Sequence, residues 1–99
     1  MAQSFEMRTD PDGVLWLSGE VDLAVVDRVL AAGDDLRARH ELLIDLSEVT
    51  FIDSSGIRAI VELCRRVRCP TVLRNPSQSA RRVLELVGLE GHGGIRIES

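Results

Sequence analysis

All 12 basic residues of this 99-residue chain are arginine, and there is no lysine. A Walker-type phosphate loop requires a lysine, and Schiff-base chemistry requires its amine, so both are excluded. Tyrosine is also absent, and Phe5, Trp16 and Phe51 are the only aromatic residues. That is too few for a base-stacking platform on single-stranded nucleic acid. Basic residues are outnumbered by 16 acidic ones, giving a formal net charge of −4. Such a balance disfavours a general nucleic-acid binder, which must neutralise phosphates, and equally a loose attachment to anionic membrane. Cys64 and Cys69 have no third or fourth partner, so they suggest neither a metal knuckle nor a disulfide framework. No apolar run approaches the ~18 residues of a membrane span. The opening Met-Ala-Gln-Ser-Phe-Glu has no basic segment followed by an apolar run, so no signal peptide is expected. A reduced, cytoplasmic location follows as the expectation.

What is present fits one compact domain over residues 1–99, with 44% hydrophobic and 28% charged residues. Phe5 and Met7 alternate with Glu6 and Arg8 as a first strand. Asp10-Pro11-Asp12-Gly13 is a turn, and Val14 to Ser18 is the second strand of a hairpin. Asp22 is placed to cap a helix whose stripe is Val26, Val29, Leu30, Gly33 and Leu36, ending near His40. Leu42-Leu43-Ile44-Asp45-Leu46 has the near-continuous apolar character of a central strand covered on both faces. Ser47-Glu48-Val49-Thr50 reads as its connection to a second helix. Ile57, Ile60, Val61, Cys64 and Val67 share one face of that helix, and Glu62 with Arg66 forms a surface pair. Cys64 is thus expected to be a buried thiol. Thr71 to Arg74 is a further strand. Ser77 is the expected cap of a third helix with Ala80, Val83, Leu84 and Val87 buried, closed by Gly88 and Leu89. Ile95 and Ile97 end the chain in a short strand. The order β-β-α-β-α-β-α-β predicts an α/β domain with a mixed, mostly parallel sheet packed with helices.

The stretch Phe51-Ile52-Asp53-Ser54-Ser55-Gly56-Ile57-Arg58 carries the functional signal. Asp53 or Ser54 can cap the second helix, a bond worth ~1 kcal/mol. A cap does not account for Gly56, which costs ~1 kcal/mol inside a helix relative to alanine. Close approach of a neighbouring element or of a partner's backbone would offset that cost. Beside the capping reading stands a second one, in which Ser54 is a modification site. A phosphate at a helix N-terminus is tolerated by the domain, yet it adds nearly two negative charges beside Asp53 and would expel a docked partner.

These residues resemble the STAS domain family, and in particular the anti-sigma factor antagonists of bacteria. The resemblance rests on Gly19-Glu20-Val21-Asp22-Leu23, Leu43-Ile44-Asp45-Leu46, Val49 to Ile57, and Asn75-Pro76-Ser77 with Arg82 to Leu89, in that order and nearly along the whole chain. It implies a non-enzymatic regulatory module without cofactor, metal or catalytic residue. It also implies that Ser54 is the phosphoacceptor, although chemistry alone leaves Ser55 open. The implied partner is an anti-sigma factor with serine kinase activity, bound by the unphosphorylated antagonist so that a sigma factor is released. A serine phosphatase would reverse the modification. Asp22, Asp53, Ser54, Ser55, Gly56 and Arg58 form the expected partner-binding set. Arg58 departs from the small residue usual in the family, and a guanidinium four residues past Ser54 can reach a phosphate or a partner carboxylate. The chain also ends at Ser99, where family members commonly continue into a further helix.

Two alternatives accompany this expectation. One is a STAS module that docks without phosphorylation in a larger signalling or lipid-transport complex. The other is a small serine hydrolase, for which the chain lacks a Gly-x-Ser-x-Gly elbow and offers only His40 and His92 as bases. Asp45 with Asp53 as paired acids, Gly91-His92-Gly93-Gly94 as a phosphate cradle and the arginines at 65, 66, 68, 81 and 82 as a basic patch are weaker readings. Asp45 is expected at a strand end or cap, and such arginine runs are usually solvated helix faces.

Overall fold

The computed structural model describes residues 4–34, 40–90 and 92–99. Five strands form one sheet in the order β1 (Phe5–Thr9), β2 (Leu15–Val21), β3 (Leu42–Ile52), β4 (Thr71–Arg74) and β5 (Ile95–Glu98). β1 is antiparallel to β2, and the remaining neighbours are parallel. The predicted architecture and element order are therefore those of the molecule. The hairpin turn is held by Asp10, whose Oδ1 accepts the amides of Asp12 and Val14, each at 2.9 Å.

Every parallel crossover steps the same way across the sheet. Right-handed connections of that kind put their helices on one face. The burial pattern agrees, because Leu15, Leu17, Val21, Ile44, Leu46, Leu73 and Ile95 join the hydrophobic core at alternating positions. Trp16, Ser18, Asp45 and Arg74 lie on the opposite set. The expectation that Leu42–Leu46 is a central strand covered on both faces holds by burial, since Ile44 on one face and Asp45 on the other are fully buried, but among the described residues the helices cover only one face. On the second face Leu43 is only half-buried, and neighbouring side chains do the covering.

Asp45 needs a correction. It is no strand end, because β3 runs on through Ser47–Thr50 to Ile52. Val49, Thr50, Phe51 and Ile52 are β-branched or aromatic and suit a strand. The polar run that suggested a loop accommodates two extra residues against β2, where Trp16 pairs with Asp45 but Ser18 with Glu48, and Gly19 with Val49 but Glu20 with Phe51. These are bulges, which bend a strand without ending it. At the first of them Asp45 is fully buried. Its Oδ1 accepts from the Ser47 amide (2.9 Å) and hydroxyl (2.6 Å), and its Oδ2 accepts from Arg74 Nε at 3.1 Å. Arg74 also lies 5.5 Å from the Trp16 ring centroid, and Arg8 lies 4.6 Å from it.

α2 (Ser54–Val67) buries Ile57, Ala59, Ile60, Leu63, Cys64 and Val67, close to the predicted stripe, with Val61 half-buried. Each fully buried aliphatic side chain there contributes roughly 1.5–3 kcal/mol. Cys64 is a buried thiol, and burial pushes its pKa up. Glu62 lies 3.7 Å from Arg66 and from Arg65, consistent with a solvated helix face. α3 (Gln78–Val87) starts at Ser77, whose Oγ accepts the Ala80 amide at 3.1 Å and donates to the Val49 carbonyl at 2.6 Å. It ends at Gly88, and Leu89 returns its amide to the Leu84 carbonyl. Val87 is not in the buried stripe; it is 48% exposed beside the exposed Leu86. As the last residue of α3, it lies where the chain already turns away from the sheet.

The first helical segment is interrupted. A 3-10 turn at Leu23–Val25 leads into α1 (Val26–Ala31), and a second 3-10 turn follows at Ala32–Asp34. Val29 is fully buried, Val26 and Leu30 are half-buried, and Gly33 is buried with Leu63 against it. Leu36 lies outside the described residues, and His40 stands exposed in a bend.

The buried Asp45 makes stability depend on pH. Burial pushes its carboxyl up, but the bonds from Ser47 and Arg74 outweigh burial and hold it below the ordinary 3.8. A depressed folded pKa gives stability that is complete above the unfolded value and lost as pH falls through the folded one. Asp45→Asn should therefore cost about 2 kcal/mol at neutral pH, the low end for breaking a buried pair because Arg74 keeps 32% of its side chain in water. The difference between the two proteins should shrink below pH ~4. Urea unfolding across that range checks it, and a constant difference at all pH values would exclude this role for Asp45.

Candidate functional site

β2 and β3 end side by side, with Val21 paired to Ile52. Each strand leads directly into an aspartate that caps the next helical turn. Asp22 Oδ1 accepts the Ala24 amide at 3.0 Å, starting the 3-10 turn. Asp53 Oδ1 accepts the Gly56 amide at 3.0 Å, starting α2. Of the two candidates for the second cap, the structure selects Asp53. The Asp53 amide donates to the Val21 carbonyl at 3.3 Å, which ties the two corners together.

Gly56 packs on the same carbonyl. A Cβ at this position would lie 2.3 Å from the Val21 oxygen, 2.8 Å from Ile52 Cγ1 and 3.0 Å from Val21 Cγ1. The glycine is required by a neighbouring element of its own chain, and it is buried. Gly19, further back along β2, is required by the start of β1 instead. Its φ is +87°, and a Cβ there would collide with the Ser4 carbonyl, which accepts the Glu20 amide at 2.8 Å.

Ser54 is the first helical residue of α2 and is exposed. Its hydroxyl makes no hydrogen bond with the described residues, since the capping role has gone to Asp53. Ser55 is half-buried and Arg58, one turn along, is exposed. Asp22, Asp53, Ser54, Ser55, Gly56 and Arg58 are thereby gathered at one corner of the domain, with Gly56 beneath the surface and the others at or near it.

Leu23 escaped the sequence reading. It precedes Val26 by three residues and Leu30 by seven, a spacing that assigns it to the half-buried side of α1. The 3-10 turn leaves it 74% exposed instead. Phe51, three residues before Ser54, is 47% exposed.

Among the described residues the corner offers Ser54 no histidine. His40 stands before β3, at the opposite end of an 11-residue strand, a span of roughly 35 Å. The turn His92–Gly94 leads into the parallel β5, at that same far edge of the sheet. Among the described residues, no group of three or more His, Cys, Asp or Glu is placed to hold a metal ion. No described helix is long and apolar enough to cross a membrane.

A family model described as "Mlab, STAS domain" matches residues 5–97. The chain belongs to the STAS domain family. Solved structures similar to this STAS domain include an anti-sigma factor antagonist from Mycobacterium paratuberculosis. That protein is 25% identical with a TM-score of 0.69, and the match covers 96% of this chain and 86% of that one. An anti-sigma-factor antagonist (STAS) domain protein from Planctomyces limnophilus is 21% identical with a TM-score of 0.67, covering 96% and 90%. The Bacillus cell fate determinant SpoIIAA in its phosphorylated form is 21% identical with a TM-score of 0.62, covering 97% and 92%. A search of curated proteins finds no match.

The division of roles at the corner is measurable in stability. Asp53→Ala should lose about 1 kcal/mol with the cap, and Gly56→Ala about 1–3 kcal/mol by forcing a methyl against the Val21 carbonyl. Ser54→Ala should stay within about 0.5 kcal/mol of the parent, as exposed sites without bonds do. Chemical denaturation of the three variants separates these outcomes. A Ser54→Ala loss as large as that of Asp53→Ala would show that the serine is structural.

Proposed function

We propose that this STAS domain is an anti-sigma factor antagonist, switched by phosphorylation of Ser54. The observation that carries the reading is the exposed Ser54 hydroxyl at the start of α2, unbonded among the described residues, with the capping task held by Asp53. Structural similarity to SpoIIAA, a protein described in both unphosphorylated and phosphorylated forms, supports it. In the unphosphorylated state the corner of Asp22, Asp53, Ser54, Ser55 and Arg58 binds an anti-sigma factor with serine kinase activity, and a sigma factor is freed. Transfer of the ATP γ-phosphoryl group to Ser54 Oγ releases ADP and the hydroxyl proton.

The phosphate then acts at short range. It adds nearly two charges beside two carboxylates, and the helix dipole accommodates it without unfolding the domain. Arg58, one turn away, is within reach of it and is drawn from any partner carboxylate. Moving a partner from mostly bound to mostly free takes about 5.5 kcal/mol of differential affinity. Repulsion and the loss of one charge-assisted bond act together toward that figure. A serine phosphatase resets the state, and all three proteins work in the cytoplasm of a bacterium.

The second reading is a STAS module that docks without phosphorylation in a larger signalling or lipid-transport complex. Wild type, Ser54→Ala and Ser54→Asp used as baits in the native host decide between them. The switch predicts a serine-kinase-like anti-sigma factor held by wild type and Ser54→Ala and lost from Ser54→Asp. The same partners on all three baits, with no kinase among them, would replace the switch by constitutive docking.

A further inference from the structure

An apolar groove of about 270 Å³ lies beside the Ser54 corner, between the first helical segment and α2. Leu23, Val26 and Leu30 form one wall and Ala59 the other, with Arg58 and Glu62 along the rim. Small-molecule sites usually measure roughly 300–1,000 Å³ and enclose their ligand. This groove is smaller and open, on the scale of one large side chain. Leu23 is 74% exposed at its mouth, a large apolar side chain left in water beside an apolar groove rather than singly among polar neighbours.

The charges on the rim are not equivalent. Glu62 is engaged by Arg65 and Arg66. Arg58 forms no ion pair with any described residue and stands at the Ser54 end of the groove. An occupant must therefore bring an apolar side chain for the groove and a carboxylate for Arg58. A basic occupant would meet Arg58 unfavourably and would compete with Arg65 and Arg66 for Glu62.

We infer that this groove is the selectivity pocket of the docking surface, and that it takes a protein segment in which an aliphatic or aromatic residue stands next to an aspartate or glutamate. The inference rests on reading this corner as a docking site; it does not require Ser54 to be phosphorylated. It also gives Arg58 a purpose that a solvated surface arginine would not have. The guanidinium selects the partner's acidic residue while the leucine-lined groove holds its apolar neighbour.

Short random peptides displayed on phage and selected against the full unphosphorylated chain provide the test, with affinities of the enriched peptides measured by fluorescence anisotropy. The expected consensus is an apolar residue adjacent to Asp or Glu. Leu23→Asp and Arg58→Glu should each weaken binding about tenfold or more. Changing the peptide's acid to lysine should restore binding to Arg58→Glu and abolish it on wild type. Both substituted positions are exposed, and circular dichroism confirms that the variants fold. Enrichment of basic peptides, equal binding to wild type and both variants, or no enrichment at all would overturn the assignment. No kinase is present in this experiment, so the phosphoswitch and the pocket can fail independently.

Discussion

The corner that carries the candidate functional residues depends on one contact, the approach of α2 to the Val21 carbonyl. That oxygen accepts the Asp53 amide and lies where a Cβ of residue 56 would stand. A glycine in a helix costs ~1 kcal/mol relative to alanine; here alanine would be worse, because its methyl would meet backbone that cannot rotate away. With the contact made, Asp22 and Asp53 are set side by side at the ends of paired strands, and each starts a helical turn. The first helical segment is brought against α2, which creates the groove between Leu23 and Ala59. An apparent mark of partner docking at Gly56 is thus a packing requirement, and it shapes the candidate docking corner from below.

Local chemistry makes much of this legible in the sequence. Asp22, Ser77 and Gly88 announce helix ends by mechanisms confined to a few residues, and the spacing of Ile57, Ile60, Cys64 and Val67 shows which face of α2 is buried. The same local signals mislead where distant residues decide. Ser47–Thr50 reads as a loop because its polar residues are excused only by two bulges against β2. Asp45 reads as a cap because its guanidinium partner is 29 positions away. The stripe from Val26 to Leu36 assumes one unbroken helix and passes over Leu23, which the 3-10 turn capped by Asp22 leaves exposed. The candidate residues are legible as a group through the Asp-Ser-Ser-Gly motif, but not their separate tasks. Nothing in the letters says that Asp53 rather than Ser54 holds the Gly56 amide.

The two faces of the sheet solve different problems. Helices cover one, and burial of aliphatic side chains there supplies most of the stabilisation. Among the described residues the other has no helix layer, because the strand order sends all the crossovers to one side. It is closed by side chains instead: Arg8 and Arg74 lie against Trp16, and Arg74 reaches down to the buried carboxylate of Asp45. Guanidinium groups suit this position, since they stack on an aromatic ring and bond a carboxylate while staying wet at one edge. The all-arginine basic composition is here put to a structural use.

Separation of tasks is also what makes a switch at Ser54 physically economical. Had the serine capped α2 itself, adding a phosphate would remove the capping bond and loosen the helix that forms one wall of the groove. Partner release and local unfolding would then be one event. With the cap on Asp53, the tight approach on Gly56 and the proposed selecting charge on Arg58, a modification at Ser54 would change only what a partner meets. The helix that carries Arg58 remains anchored through the Val21 carbonyl in either state. Under the proposed switch a partner would be lost and regained on the same rigid surface, and the affinity difference need not include the cost of refolding any part of the domain.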